Sequence, residues 1–218
     1  GAELRVSSET SRDPLALERV AWNIFEASTE DGRQFKAYHV PNNFDRYFEA
    51  NWYSQALREG QARLRKLSEN RKKTCIVVGN GPSLKLTDFE LFDRSDVIIS
   101  NYAIVSPDLA KKATILTIVN DMVARQGSVE FNALQMPKIV PFWLGNSINP
   151  TPETIFVPAT VKPEFNGEIN GQFSWRSTVS FFNMQLAFAL GYEKVLLVGF
   201  DHSYAQPEGV KEGDAIDQ

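Results

Sequence analysis

Groups capable of proton transfer and anion binding gather in two short stretches near the carboxyl end, Arg176-Ser177-Thr178-Val179-Ser180 and Gly199-Phe200-Asp201-His202-Ser203-Tyr204. An arginine clamps a phosphate or carboxylate through two parallel hydrogen bonds. Ser177, Thr178 and Ser180 stand where a helix begins, so N–H groups and the positive dipole end are available to an anion, although serine is also an ordinary N-cap there. Arg176 beside them is what tilts the balance toward an anion site. His202 is the base candidate, because an unperturbed pKa of about 6.5 suits proton removal at neutral pH, and Tyr204 places a phenol close behind it. Asp201 and His202 are neighbours on an irregular segment and need not touch one another.

A third stretch, Thr74-Cys75-Ile76-Val77-Val78-Gly79-Asn80-Gly81-Pro82-Ser83-Leu84, runs a buried-strand pattern into a glycine turn. Two glycines two apart allow a tight turn that brings backbone N–H groups up to an anion. Leu84 occupies the place of the third glycine of a dinucleotide fingerprint, and no Gly-Lys-Ser/Thr follows, so neither that signature nor the Walker loop is met. Gly79, Asn80, Gly81, Pro82, Ser83 and Leu84 are therefore candidate nucleotide or phosphate contacts, with a plain strand-to-helix turn as the competing reading.

These groups need a scaffold. From Thr74 the pattern alternates strand and helix, with strands expected at 74–79, 96–100, 114–119, 137–142 and 194–199. The reading is an α/β fold, Rossmann-like and doubly wound, with a mainly parallel sheet. Four strands end in polar residues: Gly79-Asn80, Ser100-Asn101, Asn120-Asp121 and Gly199-Phe200-Asp201. Ligands of open α/β sheets bind at the carboxyl ends of strands, near the point where strand order reverses. Asn101, Asn120 and Asp201 join the candidate binding set on that ground. A helix is expected from 176 to 190, burying Val179, Phe182, Leu186 and Leu190 and stopped by Gly191.

Residues 1–73 read as an N-terminal helical extension ahead of the 74–218 domain. One helix is expected from Asp13-Pro14, with Leu17, Val20, Ala21, Ile24 and Phe25 on one face. A second runs from about 43 to 70, and Gly60 weakens its middle. His39 lies in an extended pre-proline stretch and reads as structural. The basic cluster Arg63, Arg65, Lys66, Arg71, Lys72, Lys73 reads as a solvated helix end rather than a ligand patch. Residues 144–175, dense in proline and glycine, break the alternation. They read as a lid or acceptor-binding insertion with Phe156, Phe165, Phe173 and Trp175 available to cover a substrate, or as a loop tacked down by those aromatics.

With 218 residues, 43% of them apolar, the chain can bury a sizeable core, and its formal charge of −4 argues against a general nucleic-acid binder. Its single cysteine, Cys75, sits inside the first sheet strand and reads as a small buried hydrophobe, which suits a cytoplasmic setting without disulfides. No apolar run reaches the roughly 20 residues that span a bilayer.

Val78-Gly-Asn-Gly-Pro-Ser-Leu-Lys85, Ser100-Asn101, and Arg176-x-Thr178 through Ala189-Leu-Gly-Tyr192 to Val198-Gly-Phe-Asp201 resemble two related groups. One is the bacterial sialyltransferases of the Campylobacter lipooligosaccharide type. The other is the MptE-like superfamily grouped with archaeal 6-hydroxymethyl-7,8-dihydropterin pyrophosphokinase, the 6-hydroxymethylpterin diphosphokinase-like domains. The similarity covers about residues 74–205. It implies that Asn80 and the 81–84 backbone contact phosphate or ribose, and that Asn101 and Asn120 hold the nucleotide or sugar. The sialyltransferase Arg-x-Thr-Ser-Gly appears here as Arg176-Ser-Thr178-Val-Ser180, and the tyrosine that steadies the departing phosphate is one position later, at Tyr204. Those enzymes take their base from a histidine well downstream of the aspartate, whereas none follows His202. The resemblance thus implies that the chain is incomplete at its carboxyl end, that His202 serves, or that the chemistry differs.

The leading expectation is a nucleotide-dependent transferase moving a sugar from a nucleotide-sugar, such as a CMP-sugar, to a small-molecule or glycan acceptor hydroxyl. No Asp-x-Asp occurs, so no metal is required by this reading. The alternative is pyrophosphate transfer from ATP, which needs Mg²⁺ with Asp121 and Asp201 as its ligands. A nucleotide-binding module without turnover, or a homo-oligomeric assembly of it, is the third.

Overall fold

The computed structural model describes residues 7–8, 23–28, 34–40, 46–175 and 178–201. An antiparallel sheet comes first, ordered β1 (Ser7–Ser8), β2 (Asn23–Ser28), β3 (Gln34–Val40) and β4 (Arg46–Glu49). Helix α1 (Ala50–Asn70) follows without a break. The expected helical front end is corrected here. Ile24 and Phe25 lie in β2, paired with Tyr38 and Ala37 of β3, and Tyr47 and Phe48 lie in β4. Aromatic and β-branched residues favour a pleated surface once a partner strand is present, and pairing then overrides a short helical period. The first part of the expected helix, 13–22, lies outside the described residues. His39 is in β3, extended as its sequence suggests.

From Thr74 on the chain builds strands β5 (Thr74–Val78), β6 (Asp96–Ser100), β7 (Ile115–Thr117), β8 (Lys138–Pro141) and β9 (Thr154–Val157). A short parallel pair, β10 (Ala159–Thr160) with β11 (Phe173–Ser174), precedes β12 (Lys194–Val198). The helices among them are α2 (Pro107–Lys112), α3 (Asp121–Gln126), α4 (Ser128–Ala133) and α5 (Val179–Ala189). Six strands form one sheet in the order β12-β5-β6-β7-β8-β9, and every neighbouring pair is parallel. The doubly wound α/β fold is thus present. The chain steps outward from β5 to β9 and returns to β12 on the other side of β5, so the order reverses between β5 and β12. That gap is the topological switch point.

Alternate residues of each strand feed two cores. Ile76, Val78, Val97, Ile99, Leu116 and Val140 join Leu109, Phe131 and Phe142 on one face. Cys75, Val77, Ile98, Ile115 and Ile139 join Phe182, Leu186 and Leu190 of the α5 region on the other. Phe182, Leu186 and Leu190 are buried as their spacing predicts, and Gly191 follows the helix at a φ of 81°.

Strand β9 falls inside the stretch read as an irregular insertion. Thr154-Ile-Phe-Val157 is only four residues long and flanked by Pro152 and Pro158, so it carries too few periods to stand out from its proline-rich surroundings. Phe156 and Phe173 are core residues rather than a substrate cover, while Phe165 is half exposed and packs edge-on to Phe181 and Phe188. Gln185 of α5 pins the segment: its Oε1 accepts the N–H groups of Asn166 and Ser174, each at 3.0 Å, and its Nε2 donates to Ser174 O at 2.9 Å. The tacked-down loop describes 144–175 better than a lid.

The basic cluster ties the amino ends of the strands together. Arg63 donates to the carbonyls of Thr151 and Thr154 at 2.8 and 2.6 Å, Arg71 to Gly191 O at 2.8 Å, and Lys72 Nζ to Asp93 O and Ser95 O at 2.9 and 3.0 Å. Nearby, Asp96 accepts the Tyr192 hydroxyl at 2.9 Å and the Lys72 N–H at 2.8 Å. Burial, and then the Asp96 charge, push the Cys75 thiol up to about 12. Burial likewise raises the Tyr192 phenol, with the charges of Cys75 and Asp96 and the bond to Asp96 adding to it. Unfolded, these groups ionise near 9.0 and 10.0, whereas folded they keep their protons. The unfolded state therefore binds fewer protons once the pH passes the thiol's ordinary value, and stability falls from there until Cys75 itself ionises near 12. The urea midpoint is expected to be lower at about pH 10.5 than at about pH 8, with a smaller drop in Cys75→Ala. A midpoint equal at the two pH values, in a chain still folded at both, contradicts the assignment.

Candidate functional site

The ends of β5 and β12 are stitched together across the switch point. The Gly79 N–H donates to Val198 O and the Gly81 N–H to Gly199 O, both at 2.8 Å. A Cβ at Gly79 would lie 2.4 Å from Gly199 O, and one at Gly81 would lie 2.5 Å from Asp201 Oδ2, so the two backbones meet only because these residues are glycine. Asp201 closes the loop: its Oδ2 accepts the Ser83 N–H at 2.7 Å and its Oδ1 accepts the Ser83 hydroxyl. Pro82 opens the short 3-10 helix Pro82–Leu86, and the Leu84 N–H turns back to Gly81 O at 3.0 Å.

This changes the role of the glycine loop. The N–H groups of Gly79, Gly81, Ser83 and Leu84 all have protein acceptors, and the Asp201 carboxylate stands where an exogenous anion was expected. The expectation of bare N–H groups is corrected at those four positions. What remains for a ligand is the exposed side chain of Asn80. Leu84 is half buried and packs on the first core, as a structural residue does.

The second strand end behaves differently. Asn101 follows β6 with φ at 52°, the single non-glycine residue in the left-handed region among those described, and opens the 3-10 helix Asn101–Val105. Its side-chain Oδ1 is buried without a hydrogen-bond partner among the described residues. A buried amide oxygen left unpaired costs on the order of 1–3 kcal/mol, and strained backbone of this kind concentrates at ligand sites. At the third strand end the outcome is architectural. Asn120 Oδ1 accepts from Met122 N at 2.8 Å and Val123 N at 3.3 Å and so caps α3, while Asp121 faces Arg125 at 2.9 Å. Asparagine is a favoured N-cap, which accounts for the strand-end signal at 120 without a ligand.

Helix α5 delivers its amino end to the same edge. Thr178 is the N-cap, its Oγ1 accepting from Phe181 N at 3.1 Å. The N–H groups of Val179 and Ser180, in the first turn, have no acceptor among the described residues, as is usual for a helix start, where four N–H groups lack an intrahelical partner. One turn on, Asn183 reaches the carboxyl ends of β6 and β7: its Nδ2 donates to Ser100 Oγ at 2.7 Å and its Oδ1 accepts from Thr117 Oγ1 at 2.7 Å. These bonds tie the second turn of α5 to Ser100, the residue before Asn101, and to Thr117. Sequence reasoning passed over Asn183 and Thr117. The available signal was a pair of polar residues, Asn183 and Gln185, within a mostly apolar helix, with polar residues at two neighbouring strand ends.

Arg176, Ser177, His202 and Tyr204 lie outside the described residues. No protein-family model matches the chain, and neither a curated protein nor a solved structure does. The site therefore rests on its own geometry: an orphaned acceptor at Asn101, an open helix start at 179–180, and the Asn80 side chain on a loop locked by Asp201. Chemically, such a set offers an acceptor to a hydrogen-bond donor at Asn101 and the positive end of a helix dipole at α5. As magnesium ligands Asp121 and Asp201 fit poorly, since each carboxylate is already engaged, by Arg125 and by Ser83, and they sit at the ends of β7 and β12, with β5 and β6 between. Among the described residues no three His, Cys, Asp or Glu side chains gather in one place, and no helix is long and apolar enough to cross a membrane.

Proposed function

We propose that the chain binds a nucleotide at the carboxyl edge of this sheet and transfers a sugar from a nucleotide-sugar to an acceptor hydroxyl. The observation that carries the reading is the buried Oδ1 of Asn101, without a partner among the described residues and held in left-handed backbone at the carboxyl end of β6, one strand from the switch point. It fits a ribose or sugar hydroxyl, or an exocyclic amine of the base, as the donor it lacks. The phosphate belongs at the start of α5, where the N–H groups of Val179 and Ser180 have no acceptor among the described residues and Arg176 and Ser177 precede the Thr178 cap in sequence. Asp201 holds the loop closed so that Asn80 faces the ligand. In this reading His202 takes the acceptor proton while Tyr204 donates to the phosphate as the sugar–phosphate bond breaks.

Calorimetric titration with CMP, UMP and ATP, each with and without Mg²⁺, tests it. Saturable binding of a pyrimidine nucleotide that persists in chelator is the expected result. No saturable binding by any of them removes the proposal. Magnesium-dependent binding of ATP that disappears in Asp121→Ala transfers it to the diphosphokinase chemistry. Nucleotide binding with no turnover of any nucleotide-sugar leaves a binding module.

A further inference from the structure

Beneath the candidate site three side chains close a ring of hydrogen bonds. Asn183 Nδ2 donates to Ser100 Oγ at 2.7 Å, Ser100 Oγ lies 3.0 Å from Thr117 Oγ1, and Thr117 Oγ1 donates to Asn183 Oδ1 at 2.7 Å. With the Ser100 proton directed at Thr117, every hydroxyl both donates and accepts, so each bond polarises the next in one direction round the ring. All three residues are buried.

We infer that Asn183 is a positioning residue for the ligand site, acting through Ser100 to hold Asn101 in its left-handed conformation and fixing α5, whose first turn is the other part of that site, against the ends of β6 and β7. The inference rests on the reading of Asn101 as a ligand contact. Ser100 is the last residue of β6, extended at φ −137° and ψ 149°, and the next residue turns to a φ of 52°. The chain reverses its twist across one peptide, and the ring grips the residue immediately before that reversal. Ile99 O, 3.3 Å from Thr117 Oγ1, is the more distant alternative acceptor for the one hydroxyl proton, which the ring directs to Asn183 at 2.7 Å. Apolar contacts are non-directional and hold the register of a helix on a sheet weakly. The other buried polar residue of α5, Gln185, spends its directed bonds on Asn166 and Ser174 rather than on β6 and β7. The amide of Asn183 fixes the helix register against β6 and β7 through directed bonds. Thus one ring ties together the two parts of the candidate site that the fold brings from distant sequence, positions 101 and 179–180.

The test compares Thr117→Val, which removes both ring bonds made by Thr117, with Thr117→Ser, which keeps the hydroxyl. Two readouts are taken: the amide resonances of Asn101, backbone and side chain, and the affinity for CMP. In Thr117→Val the Asn101 resonances are expected to move or broaden and CMP affinity to fall about tenfold or more, whereas Thr117→Ser retains both. Unmoved Asn101 resonances in Thr117→Val, with only a lower melting temperature, overturn the inference and leave the ring a core contact. If the parent chain binds no nucleotide while Thr117→Val still moves Asn101 and Thr117→Ser does not, the positioning stands and the nucleotide reading falls. Should Thr117→Val not fold, Ser100→Ala judged against the hydroxyl-retaining Ser100→Thr decides by the same side-chain resonance of Asn101.

Discussion

Gly60→Ala is expected to destabilise the protein sharply, by about 3 kcal/mol, although alanine is the better helix former by about 1 kcal/mol. Gly60 lies in the middle of α1, where a Cβ would sit 2.0 Å from Phe156 O and 3.0 Å from Phe156 C of β9. The obstacle is strand backbone, paired on its other side with Val140 of β8, and it cannot turn aside as a side-chain tip could. Helix α1 must then lift from the sheet, loosening Ala56, Leu57 and the fully buried Leu64 and stretching the Arg63 bonds to Thr151 and Thr154. For a chain of this size the change corresponds to a melting temperature lower by roughly 6–12 °C. Thermal unfolding of Gly60→Ala beside Glu59→Ala, an exposed position on the same helix, measures it. A Gly60→Ala variant as stable as its parent would mean that α1 does not press on β9 as described.

Asn101 gives the second large effect, on binding rather than on folding. Asn101→Gly keeps the left-handed backbone without strain and deletes the amide, and Asn101→Ala deletes the amide and adds a cost of about 1 kcal/mol at a φ of 52°. Both are expected to lose about tenfold or more in CMP affinity, because the ligand loses an acceptor in a buried place. Asn101→Ala is expected to melt earlier than Asn101→Gly, by the backbone cost alone. Asn101→Gly is expected to melt at or above the parent, since the orphaned Oδ1 that it removes is unfavourable in the free protein. Equal CMP affinity in parent and Asn101→Gly would show that the oxygen meets no ligand, and the proposed function would lose its main support.

Much of the scaffold was legible in local sequence. The apolar runs at 75–78, 97–99 and 195–198 each fill a strand buried within a parallel sheet or lying at its edge, and a run of that kind needs no distant information to be recognised. The helix through Leu186 was legible for the same reason, its apolar spacing and its terminal glycine both being local. The front end was not. At β2, Ile24 and Phe25 suit either period, and the choice was made by Tyr38 and Ala37 across the sheet. Strand β9 stayed hidden because four residues between two prolines show no period, and its existence depends on β8 on one side and α1 on the other.

The site divides in the same way. By itself the sequence determined that polar groups end successive strands of one parallel sheet, since hydrophobic runs and the asparagines and glycines that stop them are contiguous. Which of those ends is free for a ligand was decided only by tertiary contacts. Asn120 was consumed as the cap of α3, and the glycine loop's N–H groups were taken up by Val198, Gly199 and Asp201, more than a hundred residues away. Asn101 alone among the three asparagines was left with a buried oxygen and no donor. Hydrogen-bond capacity is shared among groups that meet in space, so no reading confined to neighbours in sequence can assign it.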